Sequence, residues 1–235
     1  MSWNDLNESL ETAEERGFTL NVEGRQVPGV YWAPKEGGDR LVLLGHGGTT
    51  HKKTDYILVM ADLLAKKGIA TMAIDGPGHG DRADLSDEVD AGWFERAWNN
   101  GGGNAGMLAD WRAALDFIEA EHGVRPTGWW GLSMGTMMGL PVTATDDRIR
   151  VALLGLMGTW GPNAEYLREL APKVKCPVRF LVQWDDEVVP RDTCLELFGL
   201  IGSKRKTLHG NPGAHSAVPS FEINASAKYL NRYLK

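Results

Sequence analysis

A doubly wound α/β fold, with a mostly parallel sheet and helices on both faces, is predicted by three features of the sequence. Short apolar runs recur at 41–44, 69–74, 127–130, 151–156 and 178–182, the pattern of strands buried on both faces. Stretches with helical spacing separate them, and such alternation of strand and helix builds parallel sheets. The composition, 43% apolar and 24% charged over 235 residues, is that of a globular chain long enough for one sizeable core.

Taken in order, Trp3, Leu6, Leu10 and Ala13 recur at helical spacing before Gly17, which predicts a short amphipathic helix lying on the domain. Residues 18–22 and 26–32 alternate around Glu23-Gly24-Arg25 as an antiparallel hairpin would. After the first apolar run, Tyr56, Met60, Leu63 and Leu64 form a helical face ending at Gly68. Leu108, Trp111, Leu115 and Ile118 form another, ending near Gly123. Residues 157–175 leave room for a loop and one short helix through Tyr166 and Leu170. Phe221, Ala225, Tyr229 and Leu230 predict a closing helix over 217–234. Gly101-Gly102-Gly103 reads as a flexible loop, because a phosphate cradle would need a preceding strand and a following Lys-Ser/Thr.

Composition excludes several functions. The 31 acidic and 25 basic residues give a net charge of -6, and Lys204-Arg205-Lys206 reads as a solvated strand start, so no nucleic-acid partner is expected. Cys176 and Cys194 have neither zinc-ligand nor redox spacing, and no His-Glu-x-x-His or carboxylate–histidine cluster occurs; no metal or cofactor is expected. No apolar run approaches the roughly 18 residues of a membrane span, and the acidic N-terminus lacks the marks of an export signal. The expectation is a cytoplasmic chain, away from membranes, forming a single domain over 1–235 with a small cap segment at 81–106.

Chemistry concentrates at Gly131-Leu132-Ser133-Met134-Gly135, which follows an apolar run and precedes a small-residue helical stretch. A strand turning directly into a helix crowds the residues on either side of the central one, and glycines relieve that crowding, leaving the Ser133 hydroxyl above the sheet. In this motif and its setting the chain resembles the α/β-hydrolase superfamily, from about Phe18 onward. The resemblance implies a nucleophile, an acid and a histidine in that order, here Ser133, an acidic loop at 185–186, and His215.

A serine hydroxyl needs a base. His215, in Gly213-Ala214-His215-Ser216 ahead of the last helix, stands where the family's catalytic histidine usually sits; His209 is the rival. The orienting carboxylate is Asp185 or Asp186, and the family's Asp-x-x-Val-Pro spacing favours Asp186, with Glu187 as a solvated turn residue. Gly45-His46-Gly47-Gly48 resembles the family's oxyanion turn, which implies the Gly48 and Met134 N–H groups as donors and a purely structural His46. Asp75-Gly76-Pro77-Gly78-His79-Gly80 resembles a supporting turn of the same superfamily.

Trp93, Phe94 and Trp98 in the cap segment, with Met157 and Trp160, are the expected substrate wall, and such bulk suits a small acyl group. The layout without a large lid resembles the dienelactone-hydrolase-like branch, although a serine replaces that branch's cysteine. The implied activity is carboxylesterase-like hydrolysis of a small-molecule ester through an acyl-enzyme. A thioesterase, or an inactive ligand-binding protein on the same fold, is the alternative.

Overall fold

The computed structural model describes residues 2–4, 10–84 and 89–235. Among these, nine strands form one sheet: β1 (Ser2–Asn4), β2 (Ala13–Val22), β3 (Arg25–Pro34), β4 (Leu41–Gly45), β5 (Ala70–Ile74), β6 (Thr127–Gly131), β7 (Ile149–Gly155), β8 (Val178–Gln183) and β9 (Lys206–Asn211). Their spatial order is β1-β2-β3-β5-β4-β6-β7-β8-β9. The pairs from β1 to β5 run antiparallel and those from β5 to β9 run parallel. The predicted hairpin is β2–β3. Its two-residue turn places Glu23 at φ 51° and Gly24 at φ 84°, the left-handed pair whose twist matches the flanking strands.

Side chains alternate across the central strands and so feed two cores. On one face Leu41, Leu43 and Trp129 pack with α2 (Trp93–Asn100), α3 (Gly103–His122), α4 (Met134–Thr145), α5 (Ala164–Leu170) and α6 (Arg191–Leu200). On the other, Val42, Leu44 and Trp130 pack with α1 (Asp55–Ala65) and α7 (Ser220–Tyr233). Trp129 meets Trp111 edge-on with centroids 4.6 Å apart, which fixes α3 against the sheet. A methyl group at Gly139 would lie 1.9 Å from the Trp129 ring, so α4 approaches the sheet this closely only because that position has no side chain.

Three expectations need correction, and one helix was not expected. No helix opens the described chain: β1 pairs with β2 through Ser2↔Thr19, and Ala13 already belongs to β2, while residues 5–9 of the predicted helix lie outside the described residues. From Ala13 the burial runs with a period of two instead, Ala13 and Glu15 inward and Glu14 and Arg16 outward, and Glu15 accepts the Trp32 indole N–H at 2.7 Å. The closing helix α7 buries Glu222, Ser226, Ala227 and Leu230, leaving Phe221 exposed. An apolar periodicity misses this face because its inward residue is a charge, held by Arg179 at 2.6 Å. Gly101-Gly102 form a packed turn between α2 and α3, with Gly103 opening α3, and a Cβ on Gly101 would strike Pro77 at 2.4 Å. Finally, α6 carries buried Cys194 and Leu197 and had no predicted counterpart.

Candidate active site

Strand order reverses between β4 and β6, so the loops leaving their C-terminal ends diverge to opposite faces and open a crevice there. The β4 loop supplies Gly45 to Gly48, and β6 runs into Ser133. The ends of β8 and β9 deliver the acidic loop and the loop bearing His215.

Ser133 sits at φ 57°, ψ −122°, a strained backbone that the β6-to-α4 turn imposes. A Cβ on Gly135 would lie 2.3 Å from the Gly45 carbonyl oxygen, and one on Gly131 would lie 2.8 Å from that of Gly135. The Ser133 N–H donates to the Gly155 carbonyl at 2.9 Å, and Thr136 Oγ1 accepts the Gly155 N–H at 2.7 Å. The end of β7 thus braces the strained turn.

Ser133 Oγ lies 2.9 Å from His215 Nε2, and His215 Nδ1 lies 2.7 Å from Asp186 Oδ2. The Asp186 side chain is 1% exposed and its other oxygen accepts the Val188 and Val189 N–H groups, a setting that holds the carboxylate in place. The neighbouring acids hold the same loop by its backbone. Asp185 accepts the Gly213 N–H at 2.9 Å, and Glu187, exposed in the turn as expected, also accepts the His215 N–H at 2.9 Å and so anchors that loop. Gln183, buried, directs its amide N–H groups at the carbonyls of Ala214 and Ala217. His209 Nε2 is engaged instead with Thr207 Oγ1 at 3.1 Å.

In the β4 loop the Gly47 N–H donates to Tyr56 Oη at 2.6 Å. Among the described residues the N–H groups of Gly48 and Met134 have no such partner. His46 is fully buried; its Nε2 accepts the Gly76 N–H at 2.9 Å, so Nδ1 carries the proton and donates to the Gly47 carbonyl at 2.8 Å. Burial pushes its pKa down to about 4, keeping the ring neutral and able to bridge the two turns. Behind it, buried Asp75 accepts the Lys52 N–H and ammonium and the Asp81 N–H. Residues 75–80 are therefore the support expected. Tyr56, Thr50, Lys52 and Gln183 escaped sequence reasoning because their partners are backbone groups, hydroxyls or carboxylates that only the folded loops bring together, which no local pattern marks.

The 81–106 segment consists, where described, of a short 3-10 turn at Gly80–Arg82, α2, and the start of α3; residues 85–88 lie outside the described residues. Trp93 and Phe94 pack on the His79 ring at 5.2 and 6.3 Å, and Phe94 stacks on Trp98 at 5.9 Å. Trp98 is itself buried and bonds Asn104, so its part in any wall is to back Phe94. Trp93 also borders a cleft of about 570 Å³ with Pro77, Gly78 and Arg82, and Ser133 does not line it. Met157 is buried just beyond β7, and Trp160 is half exposed before α5.

The family model described as "Alpha/beta hydrolase family" matches residues 41–218. Among solved structures, a polyethylene-glycol-bound cold-adapted esterase from an Arctic intertidal metagenomic library is 62% identical over all of both chains, with a TM-score of 0.93. A zinc-bound structure of a cold-adapted esterase from such a library is 59% identical over all of both chains, with a TM-score of 0.89. An acetyl xylan esterase from Paenibacillus sp. R4 shares the fold at 20% identity, covering 99% of this chain and 88% of that one, with a TM-score of 0.77. No curated protein matches the sequence.

Proposed function

Because the chain belongs to the alpha/beta hydrolase family and is a carboxylic ester hydrolase, we propose that it works through Ser133 as nucleophile, His215 as general base and Asp186 as orienting carboxylate. His215 Nε2 takes the Oγ proton as Ser133 attacks the ester carbonyl, and the resulting oxyanion accepts the Gly48 and Met134 N–H groups. The imidazolium, stabilised by Asp186, gives its proton to the departing alcohol. Water, deprotonated by His215 in turn, then releases the acid from the acyl-enzyme. The observation that carries this reading is the unbroken line of contacts from Asp186 through His215 to Ser133, at 2.7 and 2.9 Å.

Ser133→Ala tests it. The variant should fold normally and lose about 10⁴-fold or more in kcat on p-nitrophenyl acetate, while a fluorophosphonate probe labels Ser133 in the parent alone. Retention of activity within about fivefold would remove Ser133 from the mechanism. No step needs a metal, so dialysis against a chelator should leave the rate unchanged.

The same reading takes the chain as one domain whose cap is the helix α2, acting on small-molecule esters without nucleic-acid or membrane partners. Among the described residues no helix is long and apolar enough to cross a membrane. Two unpaired cysteines suit a reducing compartment, which supports a cytoplasmic site of action. The aromatic rings of α2, seated on the support of the oxyanion turn, favour a short acyl group.

A further inference from the structure

The Gly48 N–H has to point at a developing oxyanion from between two glycines and Thr49, a stretch of backbone with little stiffness of its own. Gly47 lacks a side chain, and Thr49 lies in the left-handed region at φ 61°. A peptide unit flanked by glycines can rotate at small cost, and a rotated unit would present an oxygen to the oxyanion instead of a donor. Something must hold it.

The Gly48 N–H shares its peptide unit with the Gly47 carbonyl, and in a planar trans unit the two point in opposite directions. Fixing the carbonyl therefore aims the N–H. Two donors converge on that oxygen: His46 Nδ1 at 2.8 Å and Thr50 Oγ1 at 2.8 Å. The Thr50 hydroxyl proton is committed to the carbonyl, so its lone pair receives the Tyr56 hydroxyl at 3.0 Å, and the Tyr56 oxygen in turn accepts the Gly47 N–H at 2.6 Å. The directions close into a ring with every donor and acceptor matched: Gly47 N–H to Tyr56, Tyr56 to Thr50, Thr50 to the Gly47 carbonyl. Tyr56 reaches the turn from α1, packed beside Trp130 at 6.0 Å, so the ring ties the flexible turn to a helix and to the sheet.

We propose that Thr50 and Tyr56 are positioning residues for the oxyanion hole, clamping both sides of Gly47 so that the Gly48 N–H, and not that of Gly47, faces the substrate carbonyl. The proposal rests on the acyl-transfer reading above. Burial raises the Tyr56 pKa, which keeps the hydroxyl proton that the ring requires.

Thr50→Val, Thr50→Ser and Tyr56→Phe test it, each assayed with p-nitrophenyl acetate, with an alkyl trifluoromethyl ketone that forms a hemiketal on the serine, and by fluorophosphonate labelling. A misaimed donor weakens the transition state and its mimic alike. Thr50→Val and Tyr56→Phe should lose at least about tenfold in kcat and in trifluoromethyl ketone affinity, with KM within about threefold of the parent. Thr50→Ser, which keeps the hydroxyl, should recover to within about threefold. Should Thr50→Val fail to fold, Tyr56→Phe decides by the same criteria. Kcat and inhibitor affinity within about twofold of the parent would overturn the clamp, as would a Thr50→Ser variant as impaired as Thr50→Val. Labelling at Ser133 in the parent keeps the acyl-transfer reading standing whatever the clamp variants do. Labelling elsewhere removes both.

Discussion

Three consecutive acids at the end of β8 reach the loop that carries His215, and only one of them touches the imidazole. Asp186 contacts Nδ1, whereas Asp185 and Glu187 accept the backbone N–H groups of Gly213 and His215. An amide oxygen accepts those N–H groups nearly as well as a carboxylate does. Asp185→Asn and Glu187→Gln should therefore stay within about fivefold of the parent kcat, while Asp186→Asn, whose amide favours the wrong imidazole tautomer, should fall about 10³–10⁴-fold. Equal losses across the three variants would take the special role from Asp186. Ser133 was legible in the sequence because the crowding that marks it is local, a pair of glycines two places to either side. Asp186 and His215 were legible only through the order of motifs, being 29 residues apart and joined by one hydrogen bond. The anchoring role of Glu187 was not legible at all, since a backbone N–H offers the sequence no partner to match.

At the scale of elements, the strands of the parallel sheet were readable because burial on both faces leaves continuous apolar runs, and α1 and α3 because their faces are apolar. Where an element buries a charge or follows a loop without a marked cap, as α7 and α6 do, the periodicity misplaces its face or shows nothing. The helix α2 has functional weight. Its Ala97 lies where a Cβ on Gly78 would come within 2.5 Å, and its aromatic rings close over His79, so it is seated on the turn that supports His46. On the proposed reading, large rigid rings in that place limit the acyl chain more than they bind it. Acetyl to butyryl esters should give the highest kcat/KM, and Phe94→Ala should raise the relative rate for octanoyl esters, each newly buried methylene contributing up to about 0.8 kcal/mol. Trp98→Ala should act in the same direction through the loss of its stack with Phe94. A parent enzyme whose kcat/KM rises steadily to dodecanoyl would remove the aromatic wall from the account.

For the molecule as a whole, the two buried histidines link the site to the pH range in which the fold survives. His46 and His79 are 0% and 3% exposed, and burial lowers both pKa values from 6.5, that of His46 to about 4. Unfolding exposes both rings and restores their ordinary affinity for protons. As the pH falls below about 6.5, the unfolded chain takes up protons that the folded chain refuses, so stability declines until the folded His46 itself protonates near 4. For His46 alone the interval corresponds to about 3 kcal/mol, a large part of the roughly 5–15 kcal/mol of a typical domain. His79 adds in the same direction. Protonating His46 also removes the lone pair that accepts the Gly76 N–H, so the same proton that lowers stability loosens the turn holding the oxyanion donors. Urea unfolding between pH 7.5 and 4.5 should show a stability loss of about that size in the parent, and a shallower slope in His46→Asn, which is weaker at neutral pH but has no proton to take up. A variant that loses stability toward acid as steeply as the parent would show that the acid limb belongs to other groups and that His46 does not set it.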